Sequence, residues 1–193
     1  MESARILVAM NNEALSNKMK VVLTGNGYQV IEQANNANDA LRKLTSLRPD
    51  LAVMEYDLSP QNSIEVAKIA LEDKLCDVIL IASGEQKDTI EYLKSEYDLV
   101  IVAKPLHKEN FLSTVDLVLK NRKKVELLEK EIEELKDTLD TRKVIEQAKG
   151  HLMKQLNLSE DQAFRMIQKQ SMNRGIKMKE IAKAINLTYN LEK

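Results

Sequence analysis

Four short apolar runs in the first part of the chain each end on a residue that could carry chemistry. Ile6-Leu7-Val8-Ala9 leads into Met10 and Asn11, Leu51-Ala52-Val53-Met54 into Glu55, Val78-Ile79-Leu80-Ile81-Ala82 into Ser83, and Leu99-Val100-Ile101-Val102-Ala103 into Lys104. If the runs are strands of one parallel sheet, these residues converge, because the crevice of an open α/β sheet lies beyond the carboxyl ends of its strands. An acid, a hydroxyl and an ammonium gathered there offer an ion pair between Glu55 and Lys104. Nothing in the sequence pairs a nucleophile with a base or completes a metal site, so an enzyme is the least favoured reading. The two histidines and the single cysteine are too far apart to hold zinc. Cys76, placed before an apolar run, reads as a small core residue rather than a nucleophile. No metal and no cofactor is expected.

A second group of chemistry-bearing residues lies at the other end of the chain: Arg142, Lys149, Arg165, Lys169, Arg174, Lys177 and Lys179. The net charge of −1 conceals their weight. Residues 1–120 carry 13 Lys+Arg against 18 Asp+Glu, residues 121–140 carry 5 against 7, and residues 141–193 carry 11 against 5, for nets of −5, −2 and +6. An acidic front and a basic tail imply that the tail meets a polyanion, although a basic helix is also an ordinary solvated surface. Phe164 and Tyr189 are the aromatic residues of the tail. Phe164, beside Ala163 and Ile167, is expected in the core, as are Met153, Met166, Met172 and Met178, whereas His151 is expected at the surface.

The elements that must position these groups follow from hydrophobic spacing. Strands are predicted at Arg5–Ala9, Tyr28–Glu32, Leu51–Glu55, Val78–Ala82 and Leu99–Ala103. Helices are predicted at Glu13–Thr24, stopped by Gly25-Asn26-Gly27; at Asn38–Leu47, followed by Pro49; at Ser63–Glu72, with Ser63 as cap; and at Asp88–Glu96. Such alternation implies an α/β fold with a five-stranded parallel sheet covered on both faces, and uninterrupted runs such as Val78-Ile79-Leu80-Ile81 are what doubly buried strands require.

One long helix is then predicted from about Glu109 through Met153. Val125, Leu128, Ile132, Leu135 and Leu139 alternate steps of three and four, the a/d spacing of a two-stranded coiled coil, and nearly every residue off that seam is charged. A helix so polar needs a partner, so a homodimer through the seam is expected, with packing on the chain's own domains as the alternative. Beyond it, Val144, Ile145, Ala148 and Leu152 keep helical spacing. Ser159 with Gln162 forms a capping box ahead of Ala163, Ile167 and Ser171. Met178, Ile181, Ala182 and Ile185 mark a last helix over Lys177–Leu187 after the break at Asn173-Arg174-Gly175. Three short amphipathic helices make a small bundle. Gly150 inside a helix costs roughly 1 kcal/mol against Ala, which points to a close approach by another helix or by nucleic acid. The division expected is 1–120, 121–140 and 141–193. No apolar run approaches a membrane span and no signal segment opens the chain, so a cytoplasmic protein with no membrane partner is expected.

Residues 4–120 resemble a response-regulator receiver domain, a flavodoxin-like fold, through Ile6-Leu7-Val8-Ala9, Pro49-Asp50-Leu51, Ser83 and Lys104-Pro105. The resemblance implies a carboxylate pair after the first strand that holds Mg²⁺, an aspartate after the third that accepts a phosphoryl group, and a Ser/Thr and a Lys that contact the phosphate. It also implies a Lys-Pro peptide that is often cis. This sequence departs where the chemistry would happen: the acid pair falls on Met10 and Asn11, and the acceptor on Glu55. A thioether is a poor ligand for a hard cation, and without the ion nothing neutralises an incoming phosphoryl group. A pseudo-receiver that is not phosphorylated is therefore expected. In it the Glu55–Lys104 pair either mimics the phosphorylated arrangement, or the fold serves only docking and dimerisation, with a sensor or regulatory protein as a further partner.

The tail resembles the ANTAR domain of antitermination response regulators through Arg142, Ile145, Ala148-Lys149-Gly150, Leu152-Met153, Leu158-Ser159, Ala163-Phe164, Met172, Arg174 and Glu180-Ile181-Ala182; Ser171-Met172 stands where Ala-Met is common. The resemblance implies an RNA-binding domain that recognises paired stem-loops in nascent mRNA and favours transcription past a terminator. Phosphate-seeking cations suit such a target, since RNA loops are read by shape, stacking and charge-assisted contacts. The leading expectation is a dimeric, non-enzymatic antiterminator. The alternatives are a DNA-binding helix-turn-helix regulator and a scaffold whose basic tail meets an acidic protein. The apolar Lys177–Leu187 helix argues against the helix-turn-helix, which needs a polar groove-reading helix.

Overall fold

The computed structural model describes residues 3–59, 61–83, 97 and 99–191. In chain order the elements are β1 (Arg5–Ala9), α1 (Glu13–Thr24), β2 (Gln29–Ala34), α2 (Ala37–Leu47), β3 (Leu51–Glu55), β4 (Asp57–Leu58), β5 (Gln61–Asn62), α3 (Ile64–Glu72), β6 (Asp77–Ala82), β7 (Val100–Ala103), α4 (Lys108–Leu156), α5 (Glu160–Arg174) and α6 (Met178–Leu191). The helix expected at 88–96 lies outside the described residues. The chain divides into two compact units, Met1–Val125 and Glu126–Lys193.

In the first unit the five long strands form one sheet in the order β2-β1-β3-β6-β7, and every pairing is parallel. Alternation along the strands sorts the core into two layers. Ile6, Val8, Leu51, Val53, Ile79 and Ile81 pack with Met19 and Leu23 of α1 and with Phe111 and Val115 of α4. Leu7, Ala9, Ala52, Met54, Val78 and Leu80 face the other way, onto Ala40 and Leu44 of α2 and Val66, Ala67 and Ala70 of α3. Asn12 and Asn36 cap α1 and α2, their side-chain oxygens accepting from the amides of Leu15 (3.1 Å) and Asp39 (2.8 Å).

Two local expectations are corrected. β2 runs on to Ala34, because its ladder with β1 continues to the Ala9–Ala34 pair. Ser63 starts α3 without capping it: its backbone is already helical, and its hydroxyl donates instead to the Tyr56 carbonyl at 3.0 Å. That bond closes the base of a small antiparallel hairpin, β4–β5, which spacing did not anticipate.

In the second unit the last turns of α4 pack with α5 and α6. Its core is Ala148, Leu152, Ala163, Ile167, Ile181 and Ala182, flanked by Val144, Ile145, Met178 and Ile185. The capping box forms as expected: the Ser159 hydroxyl accepts from the Gln162 amide (3.3 Å), and the Gln162 side-chain oxygen accepts from the Ser159 amide (2.9 Å). Gly175 ends α5 in the left-handed region at φ 65°, where a side chain would be strained. The Asn186 side-chain nitrogen Nδ2 donates to the Val144 carbonyl at 3.0 Å and ties α6 to α4. Phe164, Met153, Met166 and Met172 are exposed rather than core, because the buried row of α5 runs through Ala163 and Ile167 and they stand off it or, in Met153, off the Ala148–Leu152 row. Met178 alone of the four methionines packs against the core. Among the described residues a Cβ at Gly150 would meet nothing within 4 Å, so none of their helices makes the close approach expected there.

Candidate functional site

The ends of β1, β3, β6 and β7 place Met10, Glu55, Ser83 and Lys104 at one edge of the sheet. Backbone bonds fix the approach: the Met10 amide donates to Ala34 (3.0 Å), that of Tyr56 to Ile81 (2.9 Å) and that of Lys104 to Ala82 (2.8 Å). The Lys104 ammonium donates to Glu55 Oε1 in a direct ion pair, with the carboxylate largely buried and the lysine more open to solvent. The Lys104-Pro105 peptide is cis. Asn11 has a different task from ligation. Its Nδ2 donates to the Asp57 carbonyl and its Oδ1 accepts from the Ser59 amide at 3.0 Å, so the whole side chain braces the β4–β5 hairpin.

This edge does not fit Mg²⁺. Met10 is buried in the apolar layer with Met19 and Phe111, Asn11 is engaged by the hairpin, and the one carboxylate of the group is neutralised by Lys104. A hard cation needs several oxygen ligands with net negative charge. Among the described residues no three His, Cys, Asp or Glu side chains come together.

The seam residues Val125, Leu128, Ile132, Leu135 and Leu139 are 47–65% exposed, along a stretch of α4 that is exposed from Lys123 through Asp140. Lys179 of α6 reaches that stretch, with Nζ 2.7 Å from Asp137 and 2.8 Å from Asp140, and neither acid belongs to the seam rows. Hydrogen bonds to Asp137 and then Asp140 push the Lys179 pKa up, so it is fully charged at neutral pH.

The basic residues divide by environment. Arg142, Lys169, Arg174 and Lys177 are exposed and make no ion pair among the described residues. Arg165 is exposed but pairs with Asp161 one turn back at 3.0 Å. Lys149 is buried, its Nζ 2.8 Å from Glu146 and 2.7 Å from Glu160, so it joins α4 to α5. Hydrogen bonding to Glu146, then Glu160, raises its pKa, while Glu160 is held below the usual carboxylate range by the same bond. Spacing alone also missed that His151 stacks on Tyr189, with ring centroids 3.8 Å apart, since the two residues lie on different helices.

A five-stranded parallel sheet in the order β2-β1-β3-β6-β7 has the architecture of a signal receiver. Solved structures agree on the fold. The response regulator receiver domain protein (CheY-like) from Methanospirillum hungatei JF-1 superposes with a TM-score of 0.57 at 20% identity, covering 64% of this chain and 98% of that one. The signal receiver domain of a putative Luxo repressor protein from Vibrio parahaemolyticus gives 0.59 at 19% identity, covering 66% and 98%. Residues 6–116 match the response regulator receiver domain, and residues 133–185 match the ANTAR domain. The chain therefore belongs to the response regulators, with a receiver domain followed by an ANTAR domain. It is similar along nearly its whole length to the transcriptional regulatory protein PdtaR of Mycobacterium tuberculosis, at 24% identity over 189 residues that cover 98% of this chain and 92% of that protein. The first domain alone is similar to the chemotaxis protein CheY of Thermotoga maritima, at 25% identity over 118 residues covering 60% of this chain and 98% of that protein. These domains make it a transcription regulator of ANTAR type and not an enzyme. Among the described residues no helix is long and apolar enough to cross a membrane.

Proposed function

We propose that this protein is a dimeric RNA-binding antiterminator of the cytoplasm, whose receiver domain signals without being phosphorylated. In this reading residues 1–120 form the pseudo-receiver, 121–140 the dimerising coil and 141–193 the RNA-binding tail. The observation that carries it is the ANTAR match over a tail where Arg142, Lys169, Arg174 and Lys177 stand exposed and outside any ion pair among the described residues. Cations in that state are what phosphate binding requires, and each neutralised phosphate releases counterions. Arg165 joins them once Asp161 is displaced, and Lys149 supports the fold of the site through Glu146 and Glu160. Two tails held together by the seam suit paired stem-loops, since the second stem-loop is met at high effective concentration. A sensor or regulatory protein acting on the receiver would supply the input.

The test is titration of an RNA carrying two adjacent stem-loops, against duplex DNA of equal length, at several salt concentrations. Arg174→Ala and Lys169→Ala should each weaken RNA binding by about 1–3 kcal/mol if they touch bases or phosphates. Each should also reduce the salt slope by roughly 0.7–0.9 for every phosphate that is no longer neutralised. Lys123→Ala, on the coil, should change little. Unaltered binding by both tail variants would reject the RNA face, and preference for duplex DNA would reject the RNA reading altogether.

A further inference from the structure

At the carboxyl edge of the sheet, between α1 and the start of α4, this chain has an apolar hollow. Beside the Glu55–Lys104 pair lies a cavity of about 460 Å³, within the size range of small-molecule sites, which are mostly apolar with a few placed polar groups. Its buried wall is Met10, Met19, Ile81 and Phe111, and exposed Leu15 stands at its mouth. Met10 occupies the position after β1 where a carboxylate would have made this wall polar. The cavity also opens at the carboxyl edge of the sheet, where open α/β folds bind ligands.

Charge selects the occupant. The lining holds three lysines, Lys18, Lys104 and Lys108, and one acid, Glu55. Lys104 is engaged by Glu55, whereas Lys18 and Lys108 are exposed and unpaired among the described residues. Lys108 is also the first residue of α4, where the amide ends of the helix add partial positive charge. A neutral apolar ligand would leave both ammoniums unanswered, and a cation would be repelled. We propose that the cavity binds a small amphipathic anion, with its apolar body against Met10, Met19 and Phe111 and its acid head between Lys18 and Lys108. Such a ligand would give the receiver a chemical input at the edge that does not suit phosphoryl transfer. The site is independent of what the tail binds.

Two methionines in the wall supply the readout. In full-length protein labelled with ¹³C at methionine methyls, titration with decanoate should shift Met10 and Met19 saturably. Met54, on the opposite face of the sheet, and exposed Met172 should stay in place. Decyltrimethylammonium and decan-1-ol, with the same chain, should bind more weakly. The double variant Lys18→Glu with Lys108→Glu changes only exposed side chains and should weaken decanoate binding by roughly tenfold or more, with the Met54 signal unchanged. Val22→Trp, at a half-buried lining position, should weaken all three probes alike by filling the space. The proposal is overturned if no probe moves Met10 or Met19 saturably below micelle formation, if the cation binds as well as decanoate, or if Met54 and Met172 shift in step with the cavity methyls.

Discussion

Replacing Leu128 and Leu135 with Asp should convert a dimer into a monomer, and the size of the effect follows from how much of the seam is still exposed. The five seam side chains are 47–65% exposed, so about half of each remains to be covered. Full burial of a Val, Leu or Ile contributes roughly 1.5–3 kcal/mol, so covering that half contributes about 1 kcal/mol each and about 10 kcal/mol for both chains. Association itself costs an estimated 4–15 kcal/mol, which leaves at most about 6 kcal/mol, so the seam alone supports a dimer no tighter than roughly tens of micromolar. The paired Asp substitutions remove four leucines from the dimer, about 4 kcal/mol, which weakens it by roughly a thousandfold before repulsion between facing carboxylates is counted. Sedimentation equilibrium over a wide protein concentration range is the assay. Leu127→Asp is the control: the same chemical change, on a side chain 69% exposed, on the same helix but off the seam rows. The seam is refuted as the dimer interface if the parent stays monomeric at the highest concentration, if the seam variant keeps the parent's mass, or if Leu127→Asp dissociates the dimer equally.

Three further outcomes are expected. Ile167→Ala opens the centre of the small helical core and should cost about 2–5 kcal/mol, comparable to the few kcal/mol that so small a core supplies. Calorimetry should show the tail's transition abolished while that of the sheet unit persists, and an unchanged tail transition would contradict the packing described. Incubation with acetyl phosphate and Mg²⁺ should leave no phosphoryl adduct on Glu55 or Asp57, and a mass increase of one phosphoryl group at either residue would refute the reading of the sheet edge. Burial pushes the Cys76 thiol up to about 12, so a disulfide reagent at neutral pH should react only after denaturant is added. Rapid reaction of the native protein would show the site to be open.

What can be read from the sequence depends on whether the cause is local. Val78-Ile79-Leu80-Ile81 reads as a doubly buried strand because the run is short, apolar and rich in β-branched residues, and four of the five strands appear where such runs fall, while the edge strand β2 carries a mixed pattern. The Ser159–Gln162 box is legible because both partners lie within one turn. Ser63 has the right residue type for a cap, yet the hairpin ahead of it claims the hydroxyl, and two-residue strands are too short to show a period. The positions of Met10, Asn11, Glu55, Ser83 and Lys104 follow from the strand ends, and Glu55 and Lys104 meet there in an ion pair. The work of Asn11 does not follow, because its partners lie 46 and 48 residues away. Lys149 shows the same limit. Glu146 is a neighbour one turn back, but only the docking of α5 brings Glu160 in and removes the lysine from the surface.

The faces of α4 bear on how assembly and RNA binding could be joined. Val125, Ile132 and Leu139 form one heptad row, and Leu128 and Leu135 the other. Among the polar groups that fasten α6 to the same helix are Asp137, Asp140 and the Val144 carbonyl, and both acids lie off those rows. If the seam pairs as proposed, the helix keeps separate surfaces for folding its own tail and for meeting a second copy, so neither interaction must be undone for the other to form. On the proposed reading this separation has a consequence. The bundle is folded in the monomer, while the weak seam leaves the population of two-tailed protein sensitive to small changes in free energy. A shift of about 1.4 kcal/mol changes that equilibrium roughly tenfold. A paired RNA target, by rewarding two tails at once, would draw the dimer together by mass action. An input at the receiver would then need to supply only a comparable small difference between monomer and dimer, without the covalent phosphoryl switch for which Met10 and Glu55 are unsuited.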